Sequence, residues 1–140
     1  MTPRRADTKN QKTMKLEAIV VALELKEFNS IANPKQEING CCVTDIMSDA
    51  LKSVSAGDLW VTKQAHRNTV AIASLRRVSA VVFSNGIIPD TKIIECATAA
   101  GITLLGTEVS TFEIAGRLYN LFASAKDEQH SQCLNRDVLR

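Results

Sequence analysis

The sequence predicts a single small α/β domain with a mostly parallel sheet of about four to five strands flanked by helices. Short apolar runs of strand length alternate with segments of helical apolar spacing, the order expected of successive strand, helix and strand units. One run, Ala80 to Phe83, is unbroken in its apolar character, as befits a strand covered on both faces. The chain of 140 residues is 45% hydrophobic and 23% charged, enough to bury such a core without disulfides or metals.

Taken in order, Met1 to Thr13 is polar, carries Pro3 and lacks apolar periodicity, so a disordered leader is expected. The folded unit is expected over 14–124. Leu16, Ile19, Val20 and Leu23 recur at helical spacing and predict an amphipathic helix. Leu25 to Asn29 reads as a short strand, Asn33-Pro34 as a turn, and Ile38 to Val43 as a strand. Thr44-Asp45 is the expected cap of a helix from Ile46 to Val54, with Ile46, Ala50, Leu51 and Val54 on one face and Gly57 as a left-handed terminator.

Leu59 to Thr62 is the next strand. His66 to Val78 is predicted helical, with Val70, Ala71, Ser74, Leu75 and Val78 inward and Arg67, Arg76 and Arg77 toward solvent. After Ala80 to Phe83, Ser84-Asn85-Gly86 breaks the strand, and Pro89-Asp90 opens a helix over Thr91 to Ala100 that ends at Gly101. Ile102 to Leu105 is the last strand. Ser110 or Thr111 caps a final helix whose apolar side is Phe112, Ala115, Leu118, Tyr119 and Phe122. A polar tail, 125–140, is expected to fray, with a marginal terminal helix as the alternative.

Composition removes several function classes. The net charge is +2, and Arg4, Arg5, Lys9 and Lys12 fall in the leader, where a solvated extension is expected rather than a nucleic-acid arm. Aromatic residues make up 4% of the chain, too few for a stacking platform for single-stranded nucleic acid. Cys41, Cys42, Cys96 and Cys133 form no CxxC pair and have no His at ligand spacing, so no metal site is proposed and reduced cytoplasmic thiols are expected. Adjacent Cys41 and Cys42 should face opposite sides of their strand, one of them as a small core hydrophobe. Glu17 interrupts the apolar run Leu16 to Leu23 and no small-residue cleavage site follows, which argues against a signal peptide. Cytoplasmic localisation, no membrane association and no cofactor are the resulting expectations.

The densest polar information lies from Asp58 to Ala73, where a strand-like run enters a helix through Thr62, Gln64, His66 and Asn68. In a parallel sheet the loops at Thr44-Asp45, Lys63 to Asn68, Ser84 to Asp90 and Gly106 to Thr111 emerge on one edge, where such sheets bind ligands. The helix N-termini at that edge favour an anionic or strongly polar ligand. The candidate ligand-binding residues are Thr44, Asp45, Thr62, Gln64, His66, Asn68, Asn85, Gly86, Ser110 and Thr111. Asp45, Ser110 and Thr111 also read as helix caps, and Gly86 as a turn residue. No GxSxG elbow, Walker loop, HExxH helix or paired carboxylates are present, and His66, with Asp45 as its would-be orienting partner, is the sole candidate base in the folded body. No catalytic residue is assigned, and the chain is not expected to be an enzyme.

These segments resemble the DRTGG domain from about Lys15 to Phe122. Thr44-Asp45-Ile46-Met47-Ser48-Asp49 stands in place of the family's "sDllSDvl" run, and Val70-Ala71-Ile72-Ala73-Ser74-Leu75 in place of its "vAvAsl" helix. Asp58 to Asn68 supplies a further match. Asn85-Gly86-Ile87-Ile88-Pro89-Asp90 resembles the "GGxxPd" turn, and Ser110 to Leu118 the closing "sTfetAgrl" helix. The literal DRTGG string is absent, and Asn85 occupies a position where many relatives have glycine. Such domains occur between paired CBS modules in some inorganic pyrophosphatases, in some phosphotransacetylases, and as short stand-alone prokaryotic proteins. The N-terminal domain of the HPr kinase/phosphorylase is similar. The resemblance implies an α/β module that tends to pair with itself, with no established chemistry of its own.

The expected function is therefore a non-catalytic regulatory or ligand-sensing module, a homodimer, whose strand-end crevice takes a nucleotide-like or phosphorylated small molecule. A protein-binding accessory subunit with Arg67, Arg76 and Arg77 as docking features is the first alternative. A small enzyme or phospho-acceptor using His66 is the second.

Overall fold

The computed structural model describes residues 13–138, with side chains described through Ala125. The leader expected over 1–13 lies outside the described residues except for Thr13. The elements are β1 (Met14–Lys15), α1 (Leu16–Ala22), β2 (Lys26–Glu27), β3 (Glu37–Ile38), β4 (Cys41–Val43), α2 (Met47–Ser53), β5 (Leu59–Thr62), α3 (Arg67–Arg76), β6 (Ala80–Phe83), α4 (Thr91–Ala99), β7 (Thr103–Gly106) and α5 (Thr111–Val138).

The main sheet has five strands in the order β2-β7-β6-β5-β4. Neighbours from β4 to β7 are parallel, and β2 joins antiparallel at the far edge. Each parallel step is bridged by one helix, as the alternating pattern predicts. The pleat sends alternate side chains to two separate cores. Trp60, Val81, Phe83 and Leu104 join residues of α2, α3 and α4 on one face. Leu59, Val61, Ala80, Val82 and Leu105 join residues of α1 and α5 on the other. Every residue of β5, β6 and β7 is buried, so these strands lie between two helical layers.

Several sequence expectations are corrected. The run Ile38 to Val43 is two strands: β3 pairs antiparallel with β1 in a separate ribbon, and β4 forms the edge of the main sheet. The break falls at Asn39-Gly40, a turn dipeptide that a reading of one continuous strand passes over. Thr44-Asp45 does not cap α2, whose N-cap is Ile46 with no side-chain hydrogen bond. That helix ends at an extended Val54, and Gly57, with φ of 84°, turns the following loop. Ile46 and Leu51 are exposed, leaving Ala50 and Val54 to pack.

In α3 the buried residues are Thr69, Val70, Ile72 and Ala73, while Ala71, Ser74 and Leu75 face out. Arg76 is half-buried against α2 rather than solvated. Both cysteine side chains of β4 are half-buried and pack on opposite cores, Cys42 with α2 to α4 and Cys41 with α1 and α5. The backbone of α5 continues to Val138, the terminal helix that stood as the alternative to fraying. Its buried anchors are Ile114 and Leu118, whereas Phe112 and Tyr119 are exposed.

Candidate ligand-binding site

The C-terminal ends of β4 to β7 carry two hydrogen-bonded clusters. In the first, the Asp45 carboxylate accepts from the Thr62 hydroxyl at 2.9 Å and from the Lys63 backbone N–H at 2.7 Å. The fully buried Thr62 Oγ1 in turn accepts from the Gln64 N–H at 3.1 Å. Lys63 Nζ lies 3.9 Å from the other Asp45 oxygen and offsets its charge. Asp45 thus joins the loop after β4 to the loop after β5. Thr44 supports this loop twice: its carbonyl accepts from Trp60 Nε1 at 3.0 Å, and its hydroxyl accepts from Ile46 N–H at 3.2 Å.

The second cluster straps the loop after β6 to the loop after β7. Ser84 Oγ and Thr111 Oγ1 are 2.6 Å apart, and Asn85 Nδ2 donates to both at 3.1 Å. Asn85 and Gly86 have φ of 60° and 68°, the succession of left-handed residues that Asn-Gly supplies at least steric cost. Their backbone N–H groups donate to Val109 O at 2.8 Å and Thr107 O at 2.9 Å. Those two N–H groups are therefore committed to carbonyls and do not form an open anion nest.

Between the clusters, Gln64, His66 and Asn68 are exposed at the mouth of α3. His66 is the N-cap, its Nδ1 accepting from Asn68 N–H at 3.1 Å. The Asp45 carboxylate is directed at Thr62 and Lys63, so the base and orienting-partner arrangement considered from sequence is replaced by a capping one. Ser110 Oγ accepts from Glu113 N–H at 3.1 Å and caps α5, while Thr111 turns to Ser84 and Asn85. The nominated residues fall into these local groups, not one convergent set. Ser84 and Lys63 were not singled out from sequence. Ser84, fully buried at the end of a strand and followed by Asn-Gly, is recognisable only once its partner Thr111 is in place.

Grooves of about 420 and 470 Å³ flank α5 on its β4 side and its α1 side, away from the polar clusters. Among the described residues, no group of His, Cys, Asp or Glu is placed to hold a metal ion, and no helix is long and apolar enough to cross a membrane.

The architecture has a solved counterpart. It is similar to the CBS and DRTGG domains of the regulatory region of Clostridium perfringens pyrophosphatase, solved in complex with the activator diadenosine tetraphosphate, with TM-score 0.60 and 26% identity. The fold is DRTGG-like. The match covers 74% of this chain and 45% of the pyrophosphatase chain, so this protein spans less than half of that regulatory region. No family model matches the sequence, and no curated protein does. The similar structure is a regulatory region.

Proposed function

We propose that this chain is a non-catalytic, ligand-sensing regulatory module whose strand-end crevice takes a nucleotide-like or phosphorylated small molecule. The observation that carries the reading is the likeness to a regulatory region solved with a nucleotide activator. The strand ends supply suitable chemistry. Gln64 and Asn68 present exposed amide side chains, and Lys63 an exposed cation, on loops braced by Asp45, Thr62, Ser84, Asn85 and Thr111. Membership of the DRTGG family and pairing of the chain with itself belong to the same reading, supported by the motif order and the shared fold. The capping role of His66 Nδ1 supports a positional rather than a catalytic role for that residue.

A second reading, a protein-binding accessory subunit, is favoured by Ile46 and Ile88, which are 64% and 69% exposed beside the polar clusters. Of the arginines expected to dock a partner, Arg67 and Arg77 are exposed and Arg76 is engaged.

A thermal-shift screen of the full chain against nucleotides, dinucleotides and sugar phosphates separates the two. A ligand at 100-fold excess over its Kd adds about 2.7 kcal/mol of stability. Gln64→Ala is the cleaner control, because only the backbone of Gln64 is engaged. His66→Ala also removes a cap worth about 1 kcal/mol. A shift that Gln64→Ala abolishes supports the sensor; the absence of any shift across the panel rejects it and favours the accessory subunit.

A further inference from the structure

The outward face of α5 carries large apolar side chains that the described residues of one copy leave uncovered. Phe112 is 90% exposed and Tyr119 is 75% exposed. Tyr119 lines the groove of about 420 Å³ between α5 and β4, together with Val43, Ala115, Phe122 and Ala123. Among the described residues no charged side chain lines that groove. Phe112 stands one turn before Ala115 and two turns before Tyr119, so it extends the same stripe.

Gly116 adds an independent observation. A glycine inside a helix costs about 1 kcal/mol relative to alanine. Among the described residues nothing requires it: a Cβ at Gly116 would meet no atom within 4 Å. The side of the helix that it leaves open is the side that bears Phe112 and Tyr119.

We infer that this face of α5, with the adjoining β4 edge, is the surface through which two copies of the chain pair about a two-fold axis. The stripe alternates large and small residues in an order that complements itself. In an antiparallel crossing centred between Arg117 and Leu118, Phe112 lies against the partner's Ala123 and Tyr119 against the partner's Gly116. An isologous contact requires this reciprocity, in which each large residue meets a small one and the reverse.

Area supports the same occupant. Two nearly uncovered aromatic residues offer about 300–400 Å² per copy. Val43 and the groove walls extend this toward the roughly 800 Å² per partner of a standard interface. The inference rests on the self-pairing part of the proposed function and is independent of ligand binding at the strand ends.

The test is sedimentation velocity of the full chain across a wide concentration range, with Gly116→Gln and Tyr119→Lys. Gly116→Gln removes a poor helix former and has open space within the protomer, so it preserves folding; thermal melts of both variants check this. Expected are a wild-type dimer and a dissociation constant raised about thirtyfold or more in each variant, the scale of losing a central anchor. A wild-type monomer at all concentrations overturns both the surface and the self-pairing. A dimer that folded Gly116→Gln leaves intact overturns the surface alone. A nucleotide-induced thermal shift retained in the monomeric variants keeps the two questions apart.

Discussion

Arg76 donates through both Nε and Nη2 to a single acceptor, the backbone carbonyl of Val54, at 3.2 and 3.1 Å. Val54 is the extended residue that closes α2, so a side chain of α3 caps the preceding helix from outside it. The charge at this helix C-terminus also complements the dipole of α2. Arg76→Ala is expected to destabilise the fold by about 1.5–3 kcal/mol, the range for a lost hydrogen bond from a charged donor. Arg76→Lys, which has no fork to share, should recover part of that loss. Urea denaturation of the two variants measures both; equal stability of Arg76→Ala and wild type would remove the capping role.

The bridge from Asp45 to Thr62 and Lys63 is expected to define the loop between β5 and α3. Asp45→Ala removes the acceptor of two hydrogen bonds and leaves the Thr62 hydroxyl buried without it. The expected cost is about 1–3 kcal/mol. The loop that presents Gln64 should loosen at the same time, seen as faster amide exchange at Lys63 and Gln64. Thr62→Val, which takes away the hydroxyl but keeps the volume, should loosen the Gln64 amide and preserve the Asp45 contact with Lys63. Unchanged exchange at Gln64 in Thr62→Val would show that the loop is held by other contacts.

The parallel sheet was legible because β5, β6 and β7 are short apolar runs separated by helices, and burial on both faces leaves the sequence no other composition. Helix faces were less legible. Ile46, Leu75, Phe112 and Tyr119 have core-type side chains but are exposed, so apolar spacing identified the helices and misassigned their inner sides. Arg76 was assigned to solvent for the complementary reason: its acceptor is a backbone carbonyl, which has no signature in sequence. The strand-end residues were found by position. Their roles depend on pairs distant in sequence, Asp45 with Thr62 and Ser84 with Thr111, which only the fold brings together.

Asn85 combines a left-handed backbone with two side-chain hydrogen bonds, and substitutions separate these contributions. Asn85→Gly keeps the conformation and loses the contacts to Ser84 and Thr111, so a cost near 1 kcal/mol is expected. Asn85→Ala adds the strain of a β-carbon at positive φ, a further 1–2 kcal/mol or so. Thermal denaturation should rank wild type above the glycine variant and the glycine variant above the alanine one. The reverse order of the two variants would show that strain at this turn is negligible.

The acid limb of stability should contain a contribution from Asp49. Hydrogen bonding from Thr44 is the largest influence holding its carboxyl below the usual aspartate range, followed by a hydrogen bond from Ser53; desolvation acts the other way, and the charge of Lys52 is the smallest influence. The Ser53 hydroxyl donates to Asp49 Oδ1 at 2.9 Å, one turn along α2. Because the folded value lies below the unfolded one, the unfolded chain binds the proton more readily, and stability rises with pH between the two values. The contribution is complete above about pH 4, the unfolded range, and disappears as pH falls through the lower folded value. Asp49→Asn should flatten this part of the profile and leave the neutral region nearly parallel to wild type. Denaturation midpoints measured from strongly acidic to neutral pH test it, and an unchanged acid slope in Asp49→Asn would assign the acid sensitivity to other carboxylates.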